Sequence, residues 1–527
     1  MTAKKTRSLD AVEITLYSQM LSAVCEEMSV VLQRSAYSPN IKERRDFSTA
    51  LFDADGGLAA QGTNIPVHLG SMPASVRAAL DRFAFAPGDV VILNDPYSGG
   101  THLPDITVVA PFYLEGKKEK PIAYLANRAH HADVGGMTGG SLPLSRELVQ
   151  EGLIIPPVKL VRAGETDEAV LDLICANSRT PDERRGDIAA QLASLHRGAE
   201  RLAAIMESSS ADWPAVFAAL SDYSHAAVKQ LVRGFPADPV SAEDAIELPE
   251  GGRAAIRAEI SRRRGSLVFD FTETDPQHPG PLNAVRAITE SAVLYCIRCL
   301  LPPEIPSNAG LMRAICVSTM PGTIVDARPP AAVAGGNVET SQRIVDVVYQ
   351  AIAKVFPSRI PAPSAGTMTN VTVSGIDPRT GAPFAYYETI GGGHGASPFG
   401  DGASARHSHM TNSLNTPVEA LEAAYPLLVR RYAVRRGSGG AGKFRGGDGI
   451  IREIEFLCDA ELSILSQRRE SGPPGALGGG SGKPSAIYLI PAGGAPKRAL
   501  PGCVSVRVRA CDRLVIETPG GGGMETA

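Results

Sequence analysis

Asp105-Ile106-Thr107-Val108-Val109-Ala110-Pro111-Phe112-Tyr113-Leu114 and Pro121-Ile122-Ala123-Tyr124-Leu125-Ala126-Asn127-Arg128-Ala129-His130 decide how this chain is read. Ile106 to Leu114 and Pro121 to His130 have the composition of two strands, and the charged run Glu115-Gly116-Lys117-Lys118-Glu119-Lys120 between them is a turn. If they form a hairpin with Leu114 facing Pro121, the same register sets Asp105 opposite His130. Directly opposed residues of an antiparallel pair have Cβ atoms about 4.5–5.5 Å apart, within reach of one ion. His102 lies three residues upstream, in the glycine-containing stretch Asn94 to Asp105, and can complete the set. Two imidazoles and a carboxylate are the donors of metal sites that keep an open position. His102, Asp105 and His130 are therefore the expected ligands of a divalent metal ion (Zn, Mn or Mg). Side chains alternate along a strand, so His131 points to the other face, and His131 and Asp133 are expected as catalytic or supporting groups. A slip of one residue would exchange His130 for His131.

Outward from this hairpin the pattern is mixed. Val12, Leu16, Met20, Val24, Met28 and Val31 recur at helical spacing and predict a helix to about Gln33 with that stripe buried. Phe47 to Phe52 reads as a strand closed by the turn Asp53 to Gly57. Two long amphipathic helices are expected over Glu183 to Met206 and Trp213 to Val232, and further helices over Val285 to Leu301 and Glu339 to Phe356. Leu267 to Thr272 reads as a strand, and from Gly437 onward short strands are separated by glycine clusters. Pro236, Pro239 and Pro249 mark 233–252 as a linker. The expected class is mixed α+β: a large multi-lobed single chain with antiparallel sheets, packed helices and a glycine-rich, β-rich C-terminal lobe. Its lobes are 1–232, which holds the metal residues, 253–436 and 437–527. Gly520 to Ala527 reads as a frayed tail.

Composition narrows the function classes. The chain has 527 residues, a formal net charge of −4, 54 glycines and 40 prolines but one tryptophan. The glycines follow no three-residue period, which excludes collagen. A charge this close to zero gives no global field for nucleic acid or an anionic membrane. No run of about 18 apolar residues is present, and the N-terminus lacks a signal-type apolar segment, so a cytoplasmic protein is expected. Eight cysteines in a chain of this length fit reduced thiols better than a disulfide scaffold, and the single pair Cys296 and Cys299 in an apolar run reads as structural.

Three further features bear on chemistry. His394 sits in Gly391-Gly392-Gly393-His394-Gly395, where backbone can approach a ligand closely, and is a candidate substrate contact. His68, among Ile65-Pro66-Val67 and Leu69-Gly70, reads either as a satisfied core histidine or as a second substrate contact. Gly437 to Lys443 has P-loop spacing, but Phe444 stands where Ser or Thr is needed for magnesium, and no helix-opening sequence follows. No nucleotide-binding residues are assigned.

Ser38 to Ser48, Ile65 to Met72, Asn94 to Asp105 and Arg128 to Gly136 resemble the hydantoinase B/oxoprolinase family. The likeness continues through His394, Thr411 to Glu419, Gly437 to Gly449 and Ser466 to Gly480, and so covers nearly the whole chain. It implies an enzyme: the B-type subunit of an ATP-dependent hydrolase that opens a cyclic amide such as a hydantoin, 5-oxoproline or a lactam. A hydantoinase A-type ATPase subunit would use the ATP and phosphorylate the substrate. The B-type chain would handle the phosphorylated intermediate at the metal, in a hetero-oligomer. In this setting Asp46, within Glu43-Arg44-Arg45-Asp46, is the expected general base or a further ligand, kept ionised by its arginines; the other reading is a buried ion pair. Related subunits in acetone and acetophenone carboxylases make a carboxylase subunit the alternative, and a non-catalytic scaffold is the third reading. The glycine clusters are expected to crowd backbone around the metal and a small polar ring.

Overall fold

The computed structural model describes residues 9–114, 119–140 and 142–526. Most of the expected charged turn (115–118), the basic N-terminal residues Lys4, Lys5 and Arg7, Ser8 and the final Ala527 lie outside them. The N-terminal lobe is built on a seven-stranded sheet in the order β2-β1-β5-β4-β3-β6-β7. These strands are β1 (Phe47–Asp53), β2 (Leu58–Gln61), β3 (Val90–Leu93), β4 (Asp105–Phe112), β5 (Ala123–His130), β6 (Val158–Arg162) and β7 (Glu165–Thr166). All pair antiparallel.

Both faces of this sheet are covered, which explains why its strands read as nearly continuous apolar runs. Leu51, Ile92, Ile106, Val108 and Leu125 enter the main core with helices α1 (Ala11–Ser35) and α5 (Pro181–Glu207). Their alternates Ala50, Phe52, Val91, Val109, Tyr124 and Ala126 pack with Met72, Val76 and Ala79 of α3 (Met72–Arg82). The short α2 (Pro39–Lys42) leads into β1, and α4 (Glu168–Ala176) precedes α5. α1 starts at a capping box in which Asp10 Oδ1 accepts from the Val12 and Glu13 amides at 2.9 Å each, and Glu13 Oε2 accepts from the Asp10 amide at 3.0 Å. Its buried stripe is Ile14, Leu21, Val24, Cys25, Met28 and Leu32. Of the expected stripe Val24 and Met28 are buried and Met20 and Val31 half-buried, but Val12 and Leu16 are 76% and 54% exposed. Apolar residues lie on two sides of this helix, and contact with α5 and the sheet selects the side that is buried.

α6 (Trp213–Arg233) leads to a four-stranded sheet, β11-β10-β9-β8, formed by β8 (Val240–Glu247), β9 (Arg253–Arg263), β10 (Ser266–Asp270) and β11 (Ile315–Ser318). Strand β8 occupies much of the expected linker, because its backbone pairs with β9 from Val240↔Ile260 to Glu247↔Arg253. Helices α7 (Arg286–Leu300) and α8 (Ser341–Ala353) pack together, and α8 lies against β8 and β9.

The remaining strands make two sheets with a shared core. One, β13-β12-β16-β19, contains β12 (Asn370–Ile376), β13 (Pro383–Thr389), β16 (Ala460–Leu465) and β19 (Cys503–Val508). The other, β14-β15-β20-β17-β18, contains β14 (Leu427–Arg435), β15 (Gly449–Phe456), β17 (Ala486–Ile490), β18 (Arg498–Ala499) and β20 (Arg513–Glu517), with α9 (Val418–Ala424) against β14. Val371, Val373, Leu462 and Ile464 of the first meet Ile450, Ile454, Ile487 and Ile516 of the second. Both sheets draw on residues before and after Gly437, so the expected lobe boundary runs through them.

The glycine clusters are more than spacers between these strands. Segments 391–396, 438–449, 472–482 and 519–524 lie side by side and hydrogen-bond through their backbones. Gly447 N donates to His394 O at 2.8 Å, Gly521 N to Gly447 O at 2.9 Å, Gly440 N to Gly521 O at 2.9 Å and Gly523 N to Gly480 O at 2.9 Å. A Cβ on Gly393 would fall 1.9 Å from Gly447 O, so this approach excludes any side chain. Gly520 to Met524 are buried within the bundle, and the expected frayed tail is corrected accordingly. The P-loop lookalike also belongs here: the Ser438 and Gly439 amides donate to Asp448 Oδ1 at 2.8 Å each.

Candidate metal centre

Pairing of β4 with β5 runs without a shift from Asp105↔His130 to Phe112↔Ala123, the register expected from the hairpin reading. It sends His130 and His131 to opposite faces. His131 points toward α5, where Nε2 lies 3.0 Å from Gln191 Oε1, and burial with the nearby Arg184 pushes its pKa down to about 4. His102 is held by its loop: Asn94 Nδ2 donates to Leu103 O at 2.8 Å, and Asn94 Oδ1 accepts from the Ile155 amide at 2.6 Å.

His102, Asp105 and His130 each offer one ligand atom within 4.8 Å of the other two, and all three are buried. Among the described residues no other group of three His, Cys, Asp or Glu side chains is so arranged. Each also has a buried polar atom without a hydrogen-bond partner: His102 Nδ1, Asp105 Oδ1 and His130 Nε2. Such orphans are costly, on the order of 1–3 kcal/mol each, unless something fills the space between them. The second polar atom of each is engaged. His102 Nε2 lies 3.1 Å from Asn337 Nδ2, Thr101 Oγ1 donates to Asp105 Oδ2 at 2.7 Å, and His130 Nδ1 lies 3.3 Å from Asn40 Nδ2. Each residue thus has one held polar atom and one free one, and a half-turn of the Asn337 and Asn40 carboxamides lets their oxygens accept the imidazole N–H that a ligating histidine donates. Burial opposes ionisation of Asp105, but the His102 and His68 imidazoles outweigh it and hold the carboxyl well below its usual range. Burial, with His102 beside it, pushes His130 well down, which leaves the neutral imidazole that metals bind. Donor set, burial and orphaned atoms all fit a divalent cation.

The surroundings add four groups. The His130 ring stacks on Tyr387 at a centroid distance of 4.6 Å, and the buried Arg44 guanidinium lies 4.6 Å from the centre of the same Tyr387 ring. His68 Nε2 is 3.3 Å from Asp105 Oδ2, and its Nδ1 is 2.9 Å from Ser48 Oγ. Asp46 accepts the His130 amide on its backbone oxygen at 2.9 Å, and its carboxylate is 3.7 Å from Arg44 Nη2. Burial raises the Asp46 pKa and outweighs Arg44, which corrects the expectation that the arginines dominate. A cavity of about 10 Å³ beside the triad is lined by Asp46, His68, Asn337, Tyr387, Thr389 and Thr411 among others. That is room for about one water-sized sphere. A cleft of about 800 Å³ meets it at Ile65 and His68.

Three expected site residues lie elsewhere: His131, turned toward α5 on the face away from the triad, Asp133 and His394. The Asp133 carboxylate is taken up by Arg179, through its amide at 2.7 Å and Nη1 at 3.0 Å, and by Ser178. His394 lines a separate cavity of about 360 Å³, and its Nε2 lies 2.7 Å from His407 O. His407 Nε2 in turn is 3.3 Å from Thr389 Oγ1, so His394 is two residues removed from the triad's cavity. The glycine clusters likewise pack against one another and do not ring the metal residues. Sequence reasoning missed Asn337, Tyr387 and Asn40; the one local signal was Asn337 after Gly335-Gly336 at the mouth of a helical pattern.

The hydantoinase B/oxoprolinase family model matches residues 10–525. An uncharacterized protein of Methanocaldococcus jannaschii, MJ0963, is 40% identical over 522 residues, 98% of this chain and 90% of its own length. 5-Oxoprolinase 1 of Arabidopsis thaliana is 37% identical over 98% of this chain, which spans only 42% of that protein. Among solved structures, an ATP-dependent caprolactamase from Pseudomonas jessenii superposes with a TM-score of 0.89 at 26% identity, covering 99% of this chain and 92% of that one. The chain belongs to the hydantoinase B/oxoprolinase family.

Proposed function

We propose that this chain is the B-type component of an ATP-dependent cyclic amide hydrolase, acting on a phosphorylated intermediate at a divalent ion held by His102, Asp105 and His130. The observation that carries this reading is the buried triad, with one unpartnered polar atom on each of its members. An amide is a poor electrophile, and phosphorylation of its oxygen makes the carbon open to attack. A divalent ion in such a site supplies Lewis acidity and lowers the pKa of water. Asp46, on the wall of the small cavity, accepts the proton that water loses on attack and returns it to the ring nitrogen as the C–N bond of the adduct breaks; a second water then releases phosphate from the acyl phosphate and leaves the carboxylate. His68, where cleft and cavity meet, orients Asp105 and faces the entering ring. The low-dielectric pocket formed by Tyr387, Met368 and Met410 excludes bulk water from the reacting carbon.

ATP is assigned to a hydantoinase A-type partner, so the working enzyme is a hetero-oligomer. Two similarities support this: the caprolactamase is described as ATP-dependent, and this chain matches only part of the longer 5-oxoprolinase. The test is reconstitution. The purified chain is expected to bind about one divalent ion and to open no ring alone, then to open a hydantoin or lactam when an A-type subunit and ATP are added. ATP-driven ring opening by this chain without a partner would refute the division of labour. Full activity of the assembled complex after His130→Ala would leave only a scaffold role.

A further inference from the structure

Among the described residues, Asn337 is the one carboxamide that touches the triad from outside the hairpin lobe. It sits in a single π-helical turn, Gly336–Thr340, directly ahead of α8, and such turns break the regular helical register, frequently at functional sites. Its amide lies 3.1 Å from His102 Nε2, it lines the small cavity, and it is 4% exposed, yet its Oδ1 has no hydrogen-bond partner. An unpartnered oxygen on a buried side chain is expensive to keep without a purpose.

The turn that presents Asn337 is fixed from several sides. Glu151 Oε1 accepts from the Val333 and Ala334 amides at 2.9 and 3.0 Å, and Asn283 Nδ2 donates to Ala332 O at 2.9 Å. Ser341 Oγ donates to the Asn337 carbonyl at 2.6 Å, and Thr340 Oγ1 donates to Leu282 O. A Cβ on Gly336 would fall 1.9 Å from Asn283 O, so the turn is pressed against its neighbour as closely as backbone allows. This bracing sets the position of the Asn337 side chain, and with it the edge of the His102 ring.

We propose that Asn337 is a positioning residue for His102: with its carboxamide turned so that the unpartnered Oδ1 accepts from Nε2–H, it leaves the Nδ1 lone pair free for the divalent ion, so that metal affinity depends on it. The inference rests on the proposed metal site and extends its support to the lobe that carries α8. Hydrogen bonds to a ligand's second nitrogen are typically worth about 10–100-fold in metal affinity.

The full chain, freed of metal, is titrated with Co(II) against a competing chelator, with the Co(II) d–d spectrum as a second readout. Asn337→Ala is expected to weaken Co(II) binding by about 10–100-fold. Activity of the reconstituted enzyme should fall at limiting metal and recover as metal is raised, a rescue that a generally loosened fold would not show. Asn337→Asp changes only one amide group and guards against misfolding of the first variant. His102 Nε2 already lies 3.3 Å from Asp105 Oδ2, and a second carboxylate, which can only accept from Nε2–H, raises the ring's basicity further, so tighter binding and a shifted spectrum are expected. If both variants bind Co(II) with the wild-type constant and spectrum, the inference is wrong while the metal site stands. If the wild-type chain itself binds no Co(II), the metal site falls, and the role of Asn337 with it.

Discussion

The β4–β5 hairpin and the C-terminal glycine bundle are both tightly packed, but they are specified in opposite ways. In the hairpin, side chains carry the information: each strand buries alternate residues in two cores, and this fixes the register that sets Asp105 against His130. In the bundle, the absence of side chains carries it, since neighbouring backbones meet where a Cβ has no room. A change in the hairpin site should therefore cost chemistry first, and a change in the bundle should cost stability first.

The largest effect is expected at the triad. His130→Ala should lower ring-opening turnover of the reconstituted enzyme by roughly 10³-fold, about 4 kcal/mol of transition-state stabilisation, with little loss of thermal stability. A collapse of the fold would show that the triad is structural, and would break the contrast. Next comes Gly393→Ala, which forces a methyl group to 1.9 Å from Gly447 O. Destabilisation of about 3 kcal/mol or more is expected in denaturant unfolding, while metal affinity of the folded fraction stays at the wild-type value. Unchanged stability would mean that the bundle yields more easily than its contacts imply.

A pH effect of similar size sharpens the comparison from the hairpin side. Burial raises the Glu151 pKa from 4.5 to about 7. The folded state then holds a proton that the unfolded chain has released. This contribution is full below about pH 4.5 and is lost as pH rises toward 7, in all on the order of 3 kcal/mol. Melting curves across that range should show the decline, and Glu151→Gln should flatten it; an unaltered profile in the variant would assign the decline to another group. The smallest effect is expected at His394. Replacing it with alanine removes the contact with His407 O and should cost about 1 kcal/mol of stability, with turnover within about twofold of wild type. A large loss of turnover at normal stability would restore His394 to the substrate site.

The legibility of each part follows the range over which its information acts. The hairpin register could be read because a period of two and a short turn act within about 25 residues of chain. Helix α6 was legible for the same reason, as apolar periodicity within one segment, whereas α5 buries Arg184, Asp187, Gln191 and Ser194 beside its aliphatic residues, so its extent was legible but not its polar inner face. The stripe of α1 was misread because two of its sides carry apolar residues, and only packing against α5 shows which side is inside. Asp133 looked like a site residue from its closeness to His130 in the chain; the arginine that neutralises it comes from residue 179. Tyr387 and Asn337 reach the triad from more than 200 residues away; no local pattern announces Tyr387, and the glycine pair before Asn337 marks a special turn without saying what it meets.

The sequence by itself determined the hairpin register, the three side chains it brings together and the family, because these rest on residue types, on alternation along a strand and on motifs spread over the chain. The tertiary structure alone decided which buried atoms are left without partners, which lobes close over the triad and what the glycines do. Those features depend on contacts between distant segments, where a hydrogen bond or a carbonyl at 1.9 Å from a would-be Cβ exists only after the chain has folded.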